Sequence, residues 1–359
     1  MMKLSEKIGQ LLMVGFDGST PSKEVESLIK KNHVGGVILF SRNLKTPLQC
    51  AKLTQSLQAL SKESPLLIGI DQEGGRVSRL PKPFIQFPSA RTFGQANNIQ
   101  RTYDAAEALA KELTAVGINL NFAPVLDIDT NPNNPIIGDR AFGASPLLVS
   151  EHALALMSGL QDNHIIACGK HFPGHGDTNL DSHKTLPSVA HPISRLNDIE
   201  LKPFIHLAKN GLLAIMTAHV LYSKIDALRP ASLSKKIVTE ILREAIGFSG
   251  VIISDDLEMK GITEKMSVAE AAVAAIVAGS DLLLVCQSYD EQMAALESLV
   301  HAVEKGHISE DRVDQSVRRL LALKEKMHCR AKKPTASEIK KVVGCDRHHA
   351  LMDALENRG

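Results

Sequence analysis

KELTAVGINLNFAPVLDID, residues 111–129, holds the repeating unit of the fold in one passage. An amphipathic stretch runs to Val116 and stops at Gly117. Glycine after a helix takes left-handed backbone that a Cβ would strain. Ile118–Ala123 follows at once as a short apolar run, the pattern of a strand buried on both faces. The passage then turns acidic at Asp127 and Asp129. Helix, glycine, buried strand and polar loop, repeated in series, make an α/β protein with parallel strands.

The unit recurs. LAKNG ends at Gly211 before LLAIMTAH, and AIVAG ends at Gly279 before SDLLLV. Eight apolar runs stand out: 10–16, 34–40, 66–70, 118–123, 165–170, 213–218, 250–254 and 281–285. Thr20-Pro21 and Thr46-Pro47 place a capping hydroxyl before proline, the start signal of a helix. Gln49 is expected to close a capping box with Thr46, and Glu270 with Ser267. Eight strands alternating with helices predict a single-domain (β/α)8 TIM-type barrel over residues 1–330. A doubly wound open sheet is the alternative. Residues 331–359 are expected to form a short helical C-terminal tail, with helix starts at Thr335 and Asp346, packed on the barrel.

Charge and composition narrow the function. Lys and Arg (41) nearly cancel Asp and Glu (40), which argues against nucleic acid as a partner. The five cysteines, Cys50, Cys168, Cys286, Cys329 and Cys345, are scattered and form no CxxC pair, which fits a reducing compartment. MMKLSEKIGQLLMVGF has no signal-peptide pattern, and no run approaches a membrane span. These features predict a cytoplasmic chain with no membrane partner.

Polar residues gather where the strands end. Ser41-Arg42-Asn43 follows the second, Asp71-Gln72-Glu73-Gly74-Gly75-Arg76 the third, and Asp127, Asp129 and Gly138-Asp139-Arg140 the fourth. Lys170-His171 closes the fifth, His219 the sixth and Asp255-Asp256 the seventh. One such residue is explained by helix capping; convergence of six strand ends on one barrel face marks an active site. The loop KHFPGHGDTNLDSHKTLP, residues 170–187, packs three His and two Asp among Gly and Pro. His171 and His175 have the spacing of a helical zinc motif, but Pro173, Gly174 and Gly176 exclude the helix, so no metal is expected. The glycines let the backbone turn sharply and predict a loop that closes over a ligand.

KHFPGHGDTNLDSH resembles the signature of glycoside hydrolase family 3, in its β-N-acetylglucosaminidase branch. DQEGGRVSRL (71–80), GDRAFG (138–143) and GFSGVIISDDLEMKG (247–261) agree in the expected order, and the likeness extends to about residue 325. Within the family the chain resembles bacterial cytoplasmic hexosaminidases of peptidoglycan recycling. The resemblance implies a barrel, no cofactor, a carbohydrate partner (GlcNAc-containing muropeptides), a monomer and retention of anomeric configuration. It further implies that Asp255 is the nucleophile and His183 the acid/base, with Asp181 as its carboxylate partner. Asp71, Arg79, Arg140, Lys170 and His171 match the sugar-holding positions.

The chemistry suits these groups. A retaining glycosidase needs a carboxylate on one face of the anomeric carbon and a proton donor near the leaving oxygen. Imidazole, with an ordinary pKa of roughly 6.5, can both give and take a proton near neutrality. Residue chemistry alone leaves Asp255 and Asp256 equal, because either could be the nucleophile and the other the first turn of the next helix. It also leaves open a phosphorylase, in which phosphate replaces water, and a sugar-binding protein without turnover.

Overall fold

The computed structural model describes residues 2–182, 185–329 and 334–356, with side chains as far as Met352. The described residues form ten strands: β1 (Leu12–Val14), β2 (Gly36–Leu39), β3 (Leu67–Ile70), β4 (Leu120–Asn121), β5 (Ile166–Phe172), β6 (Ser188–Val189), β7 (Ala214–Thr217), β8 (Leu221–Tyr222), β9 (Val251–Asp256) and β10 (Leu282–Val285). Eight of them close into a parallel barrel in the order β1-β10-β9-β7-β5-β4-β3-β2. Each of these eight lies on one of the apolar runs read from the sequence. Their residues are buried almost without exception, because the barrel interior covers one face and the helices the other. The doubly wound alternative is excluded by closure: β1 pairs with β2 on one side and β10 on the other.

The joints behave as the residues require. The helix Ile99–Ala115 ends before Gly117, which has φ +77°. A Cβ there would lie 2.6 Å from Thr54 Oγ1, whose hydroxyl donates to the Val116 carbonyl. Gly211 and Gly279 also have positive φ at their helix ends. Thr46 caps the helix Pro47–Leu60 by accepting from Gln49 N, and Ser267 with Glu270 forms a full capping box. Two expectations need correction. The helix near Thr20 begins at Lys23, because Ser22, not Thr20, accepts from Val25 N. Gln49 reaches past Thr46 to accept from Lys45 N, so no box forms there.

A two-stranded ribbon of β6 and β8 stands apart from the barrel and leaves no mark in the sequence. Two-residue strands have no periodicity to detect. The ribbon ties the far end of the 170–187 loop to the segment after β7. On the opposite barrel face, buried Asp281 pairs with Arg243 at 2.7 Å and Arg319 at 3.0 Å. The tail forms the helices Ala336–Val342 and Asp346–Glu356, and both pack on Ile99–Ala115. Among the described residues no helix is long and apolar enough to cross a membrane.

Candidate active site

The site begins where β3 gives way to a tightly wound loop. Asp71 is the first residue past the strand. The backbone of Gln72 is locked to Asn121, next door in β4, by two reciprocal hydrogen bonds of 3.0 and 2.9 Å. Its buried side chain accepts from Arg79 N at 2.7 Å and Leu80 N at 3.2 Å and donates to Ser78 Oγ. The loop is thus rolled around Gln72, and Arg79 is brought back beside the strand end. Arg79 Nε is buried and has no hydrogen-bond partner among the described residues.

β5 supplies the centre. Lys170 Nζ lies 2.7 Å from both Asp71 and Glu73. Arg140, from the turn Gly138–Arg140, grips Glu73 with two bonds of 2.8 Å. It also meets His171 Nε2 at 3.3 Å, and His171 Nδ1 lies 2.6 Å from Asp127. A guanidinium can only donate, so Nε2 accepts and Nδ1 carries the hydrogen given to Asp127. The result is one continuous chain, Asp71–Lys170–Glu73–Arg140–His171–Asp127.

Its electrostatics are those of compensated burial. Desolvation by itself would raise the pKa of Glu73, but the Arg140 and Lys170 charges outweigh it and hold the carboxyl well below its ordinary range. Burial likewise opposes charge at Asp127, and the adjacent His171 overrides it and lowers the pKa. Burial would discharge Lys170 and Arg140, yet their acidic neighbours raise both. Glu73, Lys170 and Arg140 each have an opposite charge in contact, and Asp127 is held by hydrogen bonds from His171 and His175, the conditions under which buried charges persist.

β9 closes the site from across the barrel. Asp255 stands near the C-terminal end of β9, as Lys170 does in β5 and Asp71 just past β3, so all three lie on one rim of the closed barrel. Asp255 is half-buried and accepts from Asp256 N at 2.8 Å. Asp256 Oδ1 accepts from Glu258 N and Cys286 N. Burial, then Glu258, then the backbone hydrogen bond and Asp255 set its pKa, which is pushed up to about 7.

This shift yields a stability prediction. A carboxyl whose folded-state pKa exceeds its unfolded value binds more protons when folded, so its contribution falls as pH rises through that window. Relative to wild type, Asp256→Asn should therefore gain stability between pH 4 and pH 8, by roughly 4 kcal/mol at most. Urea unfolding of both proteins across that range checks it. A pH-independent difference would show that Asp256 is not held protonated.

The 170–187 loop is anchored at several points. His175 N donates to Asp127 at 2.6 Å, and the ring contacts Thr178 at Nδ1 and Ser182 at Nε2. Burial, then the neighbouring His171, pushes the His175 pKa down to about 4, which leaves a neutral post for the loop. Asn134 donates to the His175 and Gly176 carbonyls. Ser182 O accepts from Gly261 N at 3.1 Å, where a Cβ on residue 261 would lie 3.0 Å from that oxygen. Thr185 reaches Glu264. Residues on both sides of His183 therefore dock on the segment directly after β9, and Asp181 lies half-buried beside them. His183 itself lies outside the described residues. The glycine at 176 serves close approach, since its Cβ would fall 1.7 Å from Ile128 O.

Of the sequence-predicted residues, Asp71, Arg140, Lys170 and His171 join in one network, Arg79 is carried by the same loop as Asp71, and Asp255 stands at the end of β9 on the same barrel rim. Glu73, Asp127 and His175 were not singled out as site residues. Glu73 could have been noticed two residues beyond Asp71, inside the strand-end motif. His171 and His175 converge on Asp127, the first through its ring and the second through its backbone N. Among the described residues no group of three or more His, Cys, Asp or Glu is arranged to hold a metal ion.

Comparison with known proteins gives a consistent result. Residues 3–323 match the glycosyl hydrolase family 3 N-terminal domain. The chain is 38% identical over 323 residues to a beta-hexosaminidase of Nitrosomonas eutropha, covering 88% of this chain and 92% of that protein. It is 33% identical to beta-hexosaminidase A of Pseudoalteromonas piscicida, covering 90% of this chain but only 61% of that longer relative. A family 3 β-N-acetylglucosaminidase from Paenibacillus sp. str. FPU-7 superimposes with TM-score 0.96 and 43% identity, over 99% of this chain and 68% of that one.

Proposed function

The chain belongs to glycosyl hydrolase family 3, and from that membership we propose that it is a retaining β-N-acetylhexosaminidase removing terminal, non-reducing N-acetylglucosamine. The observation that carries the proposal is the Asp71–Lys170–Glu73–Arg140–His171–Asp127 chain at one end of the barrel, with Asp255 at the end of β9 on the same rim. Such a chain presents fixed donors and acceptors to sugar hydroxyls, and leaving them unmatched by a wrong ligand is costly. Asp71, Arg79, Arg140, Lys170 and His171 hold the sugar.

Catalysis then follows in two steps. His183 gives its proton to the glycosidic oxygen while Asp255 attacks the anomeric carbon from the opposite face, and the aglycone leaves as an alcohol. Asp181 orients the imidazole and steadies its charge. His183 next takes a proton from water, which attacks the same carbon, frees Asp255 and restores the original configuration. The high pKa of Asp256 supports Asp255 as nucleophile, because the attacking carboxylate must be ionised. The physiological substrate is proposed to be GlcNAc-1,6-anhydroMurNAc peptide, handled by a cytoplasmic monomer during peptidoglycan recycling.

The test is product analysis. Wild-type protein should release N-acetylglucosamine from a chromogenic N-acetylglucosaminide, with the β-anomer appearing first by NMR. In phosphate buffer the product should remain the free sugar; sugar 1-phosphate as the main product would make it a phosphorylase. Release of N-acetylglucosamine from GlcNAc-1,6-anhydroMurNAc peptide is the expected result for the physiological substrate.

A further inference from the structure

We infer that the C-terminal tail is a positioning element for the loop between β3 and β4 that carries Asp71, Glu73 and Arg79. The inference rests on the proposed role of that loop in holding sugar. Its centre is Glu112, fully buried on the helix Ile99–Ala115. One oxygen of Glu112 accepts from Ile85 N, in the returning half of the loop, at 2.9 Å. The other accepts from Gly344 N at 2.8 Å and meets His348 Nδ1 at 2.9 Å, both from the tail. A single buried carboxylate thus joins two segments more than 250 positions apart in the numbering, and each supplies donors that the other cannot replace.

The contact is also steric. Gly344 has φ +61°, and a Cβ there would fall 2.3 Å from the Pro83 carbonyl. The tail backbone therefore lies directly on the loop backbone. From Ile85 the path to the site is short. Phe84, Ile85 and Phe87 are buried, and Phe87 O accepts from Gly75 N at 2.8 Å. Gly74 and Gly75 adjoin Glu73, whose backbone N bonds Val77 O at 3.0 Å. The returning half of the loop is clamped by the tail, and its first residues past β3 are the carboxylates that set Lys170 and Arg140. A small displacement of binding groups is felt strongly in substrate binding. None of these tail residues touches the barrel mouth, so the tail acts through the loop.

Full-length His348→Leu and Gly344→Val test this. His348→Leu removes the donor to Glu112, and Gly344→Val removes room for the contact. KM for the chromogenic N-acetylglucosaminide should rise about tenfold with kcat within twofold. Hydrogen exchange should quicken at residues 73–87 and stay unchanged in the barrel strands. His348→Asn, which keeps a donor to Glu112, should restore both readouts. Unchanged exchange at 73–87 in Gly344→Val, with exchange in 346–352 increased, would overturn the positioning role and leave the tail as mere cover. Faster exchange at 73–87 with KM unchanged would leave the clamp standing and overturn the sugar-holding role of the loop. Arg79→Ala separately reports that role, since it alters the loop without touching the tail.

Discussion

Asp255→Asn is expected to lower kcat for a chromogenic N-acetylglucosaminide on the order of 10⁴-fold, as loss of an essential catalytic group does. The protein should remain folded, because Asp255 is half-buried at a strand end and an amide keeps the hydrogen bond from Asp256 N. Substrate binding should change little, since the sugar-holding chain lies on the other side of the mouth. The sharper version is Asp255→Gly with added azide. A small anion can occupy the vacated position and attack the anomeric carbon, giving the glycosyl azide with inverted configuration. Rescue of that kind assigns the nucleophile directly. Asp256→Gly should show no such rescue, because its carboxyl is turned toward the Glu258 and Cys286 backbone amides. Azide rescue at Asp256 and none at Asp255 would reverse the assignment.

The division between these neighbouring acids shows what the residues alone could and could not say. Both stand at the end of the same apolar run, so local chemistry treats them alike. What separates them is the nearness of Glu258 and of the Cys286 amide to Asp256, which comes from the fold. The barrel was far more legible. Parallel strands covered on both faces must be continuously apolar, and glycine must follow where a helix turns into a strand, so both leave marks in short windows. The polar strand ends were legible for the same reason. The pairings among them were not. Lys170 and Asp71 are 99 residues apart, and His171 and Asp127 are 44 apart. No local pattern encodes which strand neighbours which around a closed barrel. Glu73 was overlooked because its role exists only once Lys170 and Arg140 have been brought to it. The Glu112 contact with the tail escaped notice on the same ground, since an acidic residue inside an amphipathic helix looks like ordinary surface.

Glu73→Gln measures how much that assembled chain matters. Glu73 is shared by Lys170 and Arg140, and its side chain is 6% exposed. Glutamine keeps one acceptor oxygen but turns an NH2 group toward donors that have nothing to receive it. Arg140 would retain the Ile136 carbonyl and His171 Nε2, and Lys170 would retain Asp71. The remaining excess of buried positive charge should destabilise the protein by roughly 3–5 kcal/mol, the range for removing one partner of a buried ion pair. The sign of the pH dependence follows from the depressed pKa of Glu73. A carboxyl held below its unfolded value stabilises fully above that value, and the contribution is lost as pH falls toward the folded one. The wild type's advantage should therefore be constant from pH 8 to about pH 5 and should narrow below that. KM should rise at least tenfold, because Lys170 and Arg140 would relax toward solvent and away from the sugar. Asp71→Asn provides the contrast. Asp71 is more exposed, at 20%, and Lys170 would keep Glu73, so its stability loss should be much smaller while its KM effect is equal or larger. Equal stability of Glu73→Gln and wild type in urea at pH 7 would show that Glu73 is dispensable to the charge chain. The ordering of the two variants, stability against binding, separates the residue that builds the pocket from the one that faces the sugar.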